Sequence, residues 1–190
     1  KYTEASRFIV DLANSEGYSG KHATDPFIPA FRMNIQSDST TVRNYARTVD
    51  FSTGEVAVKW KNDNGTFCRK VFISRPDNVV VIRLYSKGNG KINTTLNLSQ
   101  VTTHDAGRVK KFSLNDKLGI EKVESTSIEK GLCFRAWYER PWEGSFKGYE
   151  GVVKVVRSDG QVQADLDKLT ISGATDVLLL ARVEPSSDMN

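Results

Sequence analysis

The chain has 190 residues, of which 38% are hydrophobic and 26% charged, and its formal net charge at pH 7 is +4. This composition is that of a folded globular domain and excludes intrinsic disorder. The longest apolar runs, at 79–82 and 177–181, are far shorter than the ~20 residues of a membrane-spanning helix, and the basic residues alternate with acidic ones instead of forming the stripe that a nucleic-acid partner would need.

Residues 1–30 predict a helical and turn-rich lead-in. Apolar residues recur there at the i, i+3, i+4, i+7 spacing of one helical face: Ala5, Phe8, Ile9 and Leu12. Gly17 is a natural stop for this short amphipathic helix. The rest of the chain offers no second pattern of this kind, so one helix is predicted.

From residue 31 onward the chain predicts a succession of strands. Apolar and polar residues alternate with a period of two, as in strands with one buried face, at 31–35, 45–51, 56–60, 67–73 and 92–98. The sequence Asn62-Asp63-Asn64-Gly65 predicts a tight hairpin turn, because these residue types tolerate positive φ.

Two segments are almost continuously apolar, at 79–85 and 177–181, and are predicted to be central strands covered on both faces. Beyond a weakly apolar stretch at 102–114, further strands are predicted near 118–128, 132–138, 152–156, 161–164 and 169–171. About a dozen strands without an internal repeat favour a sandwich over a propeller. We therefore predict an all-β fold: a single antiparallel β-sandwich domain over residues 1–190 with one short N-terminal helix.

The histidines and cysteines form no catalytic or metal-binding constellation. His22 and His104 lie in polar stretches and are predicted to be solvated surface residues. Cys68 and Cys133 fit neither a redox motif nor a zinc spacing, so buried free thiols are favoured over a disulfide, although an oxidising compartment would shift that balance. No metal and no cofactor is expected.

Acidic residues that could act as the acid and base of a glycosidase are present but not distinctive. A pair could be drawn from Glu139, Glu143, Glu150 and Asp25, yet almost any chain of this length offers as many. They are interpreted as solvated charges. The chain alone is therefore not expected to be catalytic.

A cluster of aromatic residues begins in the strand at 132–138; its members are Trp137, Tyr138, Trp142, Phe146 and Tyr149. Aromatic faces beside hydrogen-bonding groups are how proteins hold sugar rings, so contact with carbohydrate is one interpretation. The other, which we favour, places part of the cluster in the core and lets Trp142 and Phe146 protrude as an apolar interface with another domain.

Two motifs resemble the N-terminal β-supersandwich domain of glycoside hydrolase family 95, the α-L-fucosidase and α-L-galactosidase family. They are YARTVDF at 45–51 and RKVFISRPDNVVVIRL at 69–84. Weaker similarity at 149–160 and 171–177 extends the resemblance over residues 5–184. The Pro-rich and Gly-Asn-Gly signature of the family's opening strands is absent.

The resemblance implies a supersandwich of the galactose-mutarotase-like type that accompanies a catalytic (α/α)6 barrel. Because the acid and base of such enzymes reside on the barrel, no catalytic residue is transferred to any position of this chain. The implied function is that of a non-catalytic accessory domain, a fragment of a larger secreted or periplasmic glycosidase. Its expected partners are the barrel of the same parent chain and an oligosaccharide. The alternative is a free-standing carbohydrate-binding or cell-surface adhesion module.

Overall fold

The computed structural model describes residues 2–17, 29–37, 41–101, 119–139, 141 and 143–189. Within these ranges the chain forms one helix followed by twelve strands. They are α1 (Tyr2–Ser15), β1 (Arg32–Ser37), β2 (Arg43–Asp50), β3 (Glu55–Asn62), β4 (Gly65–Ser74), β5 (Val79–Lys87), β6 (Ile92–Ser99), β7 (Ile120–Ile128), β8 (Gly131–Tyr138), β9 (Gly148–Ser158), β10 (Gln161–Asp165), β11 (Lys168–Ala174) and β12 (Asp176–Ser186). This is the predicted all-β fold with one short N-terminal helix.

The strands form two sheets in which the pairs are antiparallel. The small sheet has the order β1-β6-β11-β10, and the large sheet has the order β2-β3-β4-β5-β12-β9-β8-β7. The backbone of the small sheet lies closest to β5, β7 and β8 of the large sheet. Strands β2, β3 and β4 form the other end of the large sheet, which we call the wing.

The core lies between the sheets and follows the alternation seen in the sequence. In β6, Ile92, Thr94, Leu96 and Leu98 are buried while the residues between them are half-exposed. The largest fully buried side chains are Phe134, Leu96, Leu132, Leu169, Ile171, Leu179, Val153 and Val177. Both sheets therefore contribute one apolar face each, as stacked sheets require.

Phe31, just before β1, closes the core over β8 and β9. Its ring centroid is 5.7 Å from that of Phe134. The ring also covers Gly151 of β9, where a Cβ atom would lie 2.2 Å from Cε1 of Phe31. The absence of a side chain at Gly151 is therefore what lets Phe31 pack this close to the sheet.

The outer face of the large sheet, opposite the core, is less covered than the sequence predicted. The inward residues of β5 and β12, such as Ile82 and Leu179, are buried. The outward residues Val81 and Leu180 are only half-buried, so the prediction of cover on both faces is wrong within the described residues. Phe72 pairs with Val81, and Val81 pairs with Leu180. These three residues form an apolar row across three strands, which we call the outer stripe.

The hairpin between β3 and β4 closes one end of the sandwich. The Asn62 side-chain oxygen Oδ1 accepts hydrogen bonds from the backbone N–H of Asn64 at 2.8 Å and of Gly65 at 3.1 Å, which fixes the predicted turn. A Cβ atom on Gly65 would lie 2.9 Å from Cα of Gly90. The hairpin of the large sheet thus abuts the turn that leads into β6 of the small sheet, and only glycine permits that approach.

Helix α1 has the predicted amphipathic pattern, but its apolar side chains remain exposed. Phe8 is 68% exposed and Ile9 65% exposed. The helix therefore gains little from burial against the described part of the chain. In that part, no helix has the length and apolar content needed to cross a membrane.

Candidate functional site

The predicted aromatic cluster is divided between the two faces of the large sheet. Tyr138 packs against the core, with its ring centroid 6.2 Å from that of Tyr149. Tyr149 is only 7% exposed, and its hydroxyl donates a hydrogen bond to the Ala30 carbonyl at 2.6 Å. Burial raises the pKa of Tyr149 to about 12. These two tyrosines are thus structural members of the sandwich interior.

Trp137 precedes Tyr138 in β8 and lies on the outer face. Its indole Nε1 donates a hydrogen bond to the Met189 carbonyl at 3.1 Å, and Lys122 Nζ lies 4.8 Å from its ring centroid. Phe146 is 53% exposed, whereas Trp142 lies outside the described residues. The four described members therefore do not combine into one platform for a sugar ring.

The other predicted polar candidates are mostly surface residues. Glu150 pairs with Arg135 at 2.6 Å, and Glu143 is exposed. Asp25, His22 and His104 lie outside the described residues. Among the residues that are described, no group of three or more His, Cys, Asp or Glu side chains could hold a metal ion.

Both cysteines are free thiols, as favoured from the sequence. Cys68 is buried and Cys133 is half-buried. Burial raises the pKa of the Cys133 thiol, which makes its reactive thiolate scarce at neutral pH. The cysteines are therefore part of the packing and not a reactive centre.

The structure instead contains a cleft that we did not predict from the sequence. It lies between the inner face of the wing and the β1–β6 edge of the small sheet, and we call it the wing cleft. Its cavity volume is about 230 Å³. Its lining includes Tyr45, Trp60, Asn62, Phe67, Arg69, Lys91, Ile92 and Thr94.

One wall of the wing cleft is aromatic. Trp60 of β3 stacks on Phe67 of β4, with ring centroids 5.7 Å apart and an interplanar angle of 19°. Tyr45 of β2 stands at the mouth, 54% exposed, and its hydroxyl accepts a hydrogen bond from Arg47 at 3.0 Å. Ile92 of β6 lies opposite this wall, so the cleft has apolar surfaces on both sheets.

The charged side chains among the described residues of the wing cleft are all positive. Arg69 is half-buried on the wing side and Lys91 is exposed at the small-sheet side, and the described residues that line the cleft include no carboxylate. The nearby Asp63 is already paired with Arg43 at 2.5 Å and accepts a hydrogen bond from Thr41 at 2.8 Å. The cleft thus combines a ring-sized apolar space with an excess of positive charge.

A signal for this cleft was present in β4. Arg69 occupies an inward position between Phe67 and Val71, where the alternation calls for an apolar residue. A charged residue on the buried face of a strand is costly unless it has a partner. Such a break in the pattern marks a candidate site, although the opposite wall cannot be read from the sequence.

A second cavity of about 400 Å³ lies where Phe31 and Met33 meet the other ends of β4, β5 and β12. Ile73, Val80 and Val183 contribute to its predominantly apolar lining. It lacks the stacked aromatic wall of the wing cleft. The wing cleft is therefore the better candidate for selective binding.

A model of a known protein family matches the whole chain. Residues 1–190 match the family model described as "Glycosyl hydrolase family 65, N-terminal domain". The match supports an N-terminal domain of a glycoside hydrolase, as the sequence resemblance implied, but it does not support family 95 in particular. No curated protein matches the chain.

Among solved structures, one match is a protein assigned as a kojibiose phosphorylase from the human microbiome, with 8% sequence identity and a TM-score of 0.49. The alignment covers 86% of this chain and 24% of that protein. The present chain thus spans about a quarter of the length of that protein.

Proposed function

The chain belongs to the N-terminal domains of glycosyl hydrolase family 65, and from this membership we propose that it is a non-catalytic accessory β-sandwich of a carbohydrate-degrading enzyme. Its role is to pack against and support a catalytic (α/α)6 barrel of the same parent chain. We also propose a periplasmic or secreted location, which rests on the sequence resemblance to secreted glycosidases and not on the family 65 match.

The observation that carries this proposal is the outer stripe. Strands that are apolar on both faces are typical of sheets with cover on both sides. Here Phe72 is 38% exposed, and Val81 and Leu180 are half-buried. Burial of such a row against a second body contributes ~25 cal/mol for each Å² of apolar surface removed from water. The stripe is thus suited to a permanent interface within one polypeptide.

The charges beside the outer stripe favour the same interpretation. Lys70 pairs with Glu55 at 2.7 Å, and Arg83 pairs with Asp176 at 2.7 Å. The hydrogen bond to Glu55 raises the pKa of Lys70, so the ammonium stays charged and held in its pair. Because these groups satisfy each other, they can border an apolar contact without being left unpaired when water is excluded.

The distribution of carboxylates supports an accessory role. Hydrolysis of a glycosidic bond requires two carboxyl groups about 5–9.5 Å apart on either side of the scissile bond. The described lining of the wing cleft carries none. Glu150 and Asp176 are engaged with arginines on the outer face. The proposal therefore leaves the acid and base to the barrel.

The test compares the same substitution in the isolated chain and in the full parent protein. Leu180→Asp places a charge in the outer stripe, so we expect it to lower the melting temperature and glycosidase activity of the parent protein while the isolated chain remains folded. Leu166→Asp is the matched control, because Leu166 is 83% exposed in the turn between β10 and β11. If Leu180→Asp leaves the parent protein unchanged, the stripe is not the docking face. Hydrolysis of aryl α-glycosides by the purified isolated chain would contradict the non-catalytic assignment.

A free-standing carbohydrate-binding or adhesion module is the second candidate function, and the wing cleft is the observation that favours it. Such a module would bind sugar without a barrel and would be indifferent to Leu180→Asp.

A further inference from the structure

We propose that the wing cleft is a binding site for a single hexuronate residue, that is, a sugar ring that carries a carboxylate. The assignment of the ring and the carboxylate comes from the cleft itself. The choice of a sugar among ring carboxylates rests on the proposed function.

The size and walls of the cleft fit one ring. Its volume of about 230 Å³ is below the range of roughly 300–1,000 Å³ that is typical of sites for drug-sized ligands. Trp60, held by its stack on Phe67, and the exposed Tyr45 provide aromatic surface for the C–H face of a pyranose. Because the stack fixes Trp60 before binding, little side-chain entropy is lost when a ring packs there.

Arg69 supplies the recognition of a carboxylate. It lines the cleft, is half-buried, and has no carboxylate partner within the described part of the chain. A guanidinium presents parallel N–H donors that match the two oxygens of a carboxylate, and such charge-assisted pairs are stronger than neutral hydrogen bonds. A bound carboxylate would therefore provide the partner that the described residues do not.

Lys91 on the opposite side adds a second positive charge near the same space. Asp63, which accepts a hydrogen bond from the lining residue Thr41, is already paired with Arg43. The described lining residues therefore attract an anion and include no carboxylate that would repel one. A neutral sugar would use the aromatic wall but would leave both cations without a partner.

Two polar side chains of the lining, Asn62 and Thr94, can form hydrogen bonds with sugar hydroxyls. Asn62 uses Oδ1 for the hairpin turn, while its Nδ2 has no hydrogen-bond partner in the described residues. Thr94 donates its hydroxyl proton to the Gln36 carbonyl at 2.8 Å and can still accept a hydrogen bond. A hexuronate has both the donors and the acceptors for these two groups.

The experiment is an NMR titration of the 190-residue chain, which reads out the indole N–H of Trp60 and the amide of Gly90. The probe is D-galacturonate, and the matched neutral sugar is D-galactose, which lacks only the carboxylate. We expect saturable shifts with galacturonate and at least tenfold weaker binding of galactose. The Trp60 signal is assigned by its loss in Trp60→Phe.

Two charge variants separate the cleft from general electrostatics. Arg69→Met keeps most of the aliphatic part of the side chain and removes the guanidinium group. We therefore expect galacturonate to bind ~10–100-fold more weakly, as for loss of a hydrogen bond to a charged group. Lys59→Met is the matched control, since it removes the same charge from an exposed position of β3 on the outer face and should leave the affinity unchanged. If Arg69→Met does not fold, Lys91→Met takes its place: we expect it to weaken galacturonate binding, and the wild-type titrations with galacturonate and galactose still test the preference for a carboxylate.

Three outcomes would overturn the proposal: no saturable shift at tens of millimolar galacturonate, equal affinity for galactose, or a loss in Lys59→Met as large as in Arg69→Met. A third probe, cyclohexanecarboxylate, tests whether the cleft requires a sugar ring or only a ring that carries a carboxylate. If it binds as tightly as galacturonate, the cleft recognises a carboxylate on a ring but not a sugar, and the hexuronate assignment is refuted. That result would not affect the Leu180→Asp test of barrel docking, which probes the proposed function separately.

Discussion

A methyl group added to Gly151 should show how much stability depends on the contact between Phe31 and β9. The φ angle of Gly151 lies outside the left-handed region, so the backbone itself accepts alanine. The new Cβ atom, however, would lie 2.2 Å from Cε1 and 2.7 Å from Cδ1 of Phe31. The ring must therefore move, and with it the contact to Phe134.

The expected loss follows from two opposing terms. Overpacking of a core contact costs typically 1–3 kcal/mol. Replacing glycine by alanine in a strand raises the free energy of unfolding by roughly 0.5–1 kcal/mol, because the unfolded chain then has less conformational freedom. We expect Gly151→Ala to lower the free energy of unfolding by about 1–2 kcal/mol. With a urea m-value of about 2 kcal/mol/M, the denaturation midpoint would fall by roughly 0.5–1 M.

A double-mutant cycle with Phe31→Leu identifies the cause. In the Phe31→Leu background the aromatic ring is absent, so Gly151→Ala should lower the free energy of unfolding by less than about 0.5 kcal/mol. The coupling energy between the two positions should then approach about 1 kcal/mol. Urea denaturation of the four proteins, followed by tryptophan fluorescence, measures all the terms. A Gly151→Ala protein as stable as the wild type, or an equal cost in both backgrounds, would refute the steric argument.

Three further outcomes are expected. Tyr149→Phe should lose about 1 kcal/mol of stability by leaving the Ala30 carbonyl without its partner. The pKa of Tyr149 is raised from 10.0 in the unfolded chain to about 12 in the folded protein. Because the unfolded chain ionises first, the free energy of unfolding of the wild type should fall as the pH rises from 10 to 12. Denaturation across that range should show a smaller decrease for Tyr149→Phe. A thiol reagent should find Cys68 unreactive and Cys133 slow in the native chain, and both should react in denaturant. Hydrogen bonds from the N–H groups of Asp176 and Thr175 hold the pKa of Asp159 below its ordinary value of 3.8. The ionised Asp159 therefore stabilises the fold above pH 3.8, and this stability is lost as the pH falls below that value. Acid unfolding of Asp159→Asn should be less steep than that of the wild type.

The strands were predictable because burial on one face imprints a period of two. In β6 every second residue is buried, and three of these four residues are apolar; Thr94 is the exception. The same rule also indicates that Trp137 and Tyr138, as neighbours in one strand, face opposite sides of the sheet. Their closeness in sequence was thus evidence against a shared surface.

The partial exposure of the outer faces of β5 and β12 could not be predicted, because an apolar run in the sequence does not show whether both of its faces are covered within the same domain. The wing cleft was unpredictable for a different reason. Its walls come from strands that are distant in sequence, and they meet only because β1 pairs with β6 and the β3–β4 hairpin abuts Gly90. Arg69 breaks the apolar pattern of β4 and could have been recognised from the sequence.

The position of β12 in the strand order has a consequence for how the chain folds. It pairs with β5 on one side and with β9 on the other, so it is the only described link between the two halves of the large sheet. Because β12 comes last, four strands on one side and three on the other must wait with open edges until residues 176–186 are available. Pairing over such sequence distances slows folding and leaves unpaired strand edges exposed to association during that interval. During synthesis, the large sheet would be completed only after residue 186 has left the ribosome.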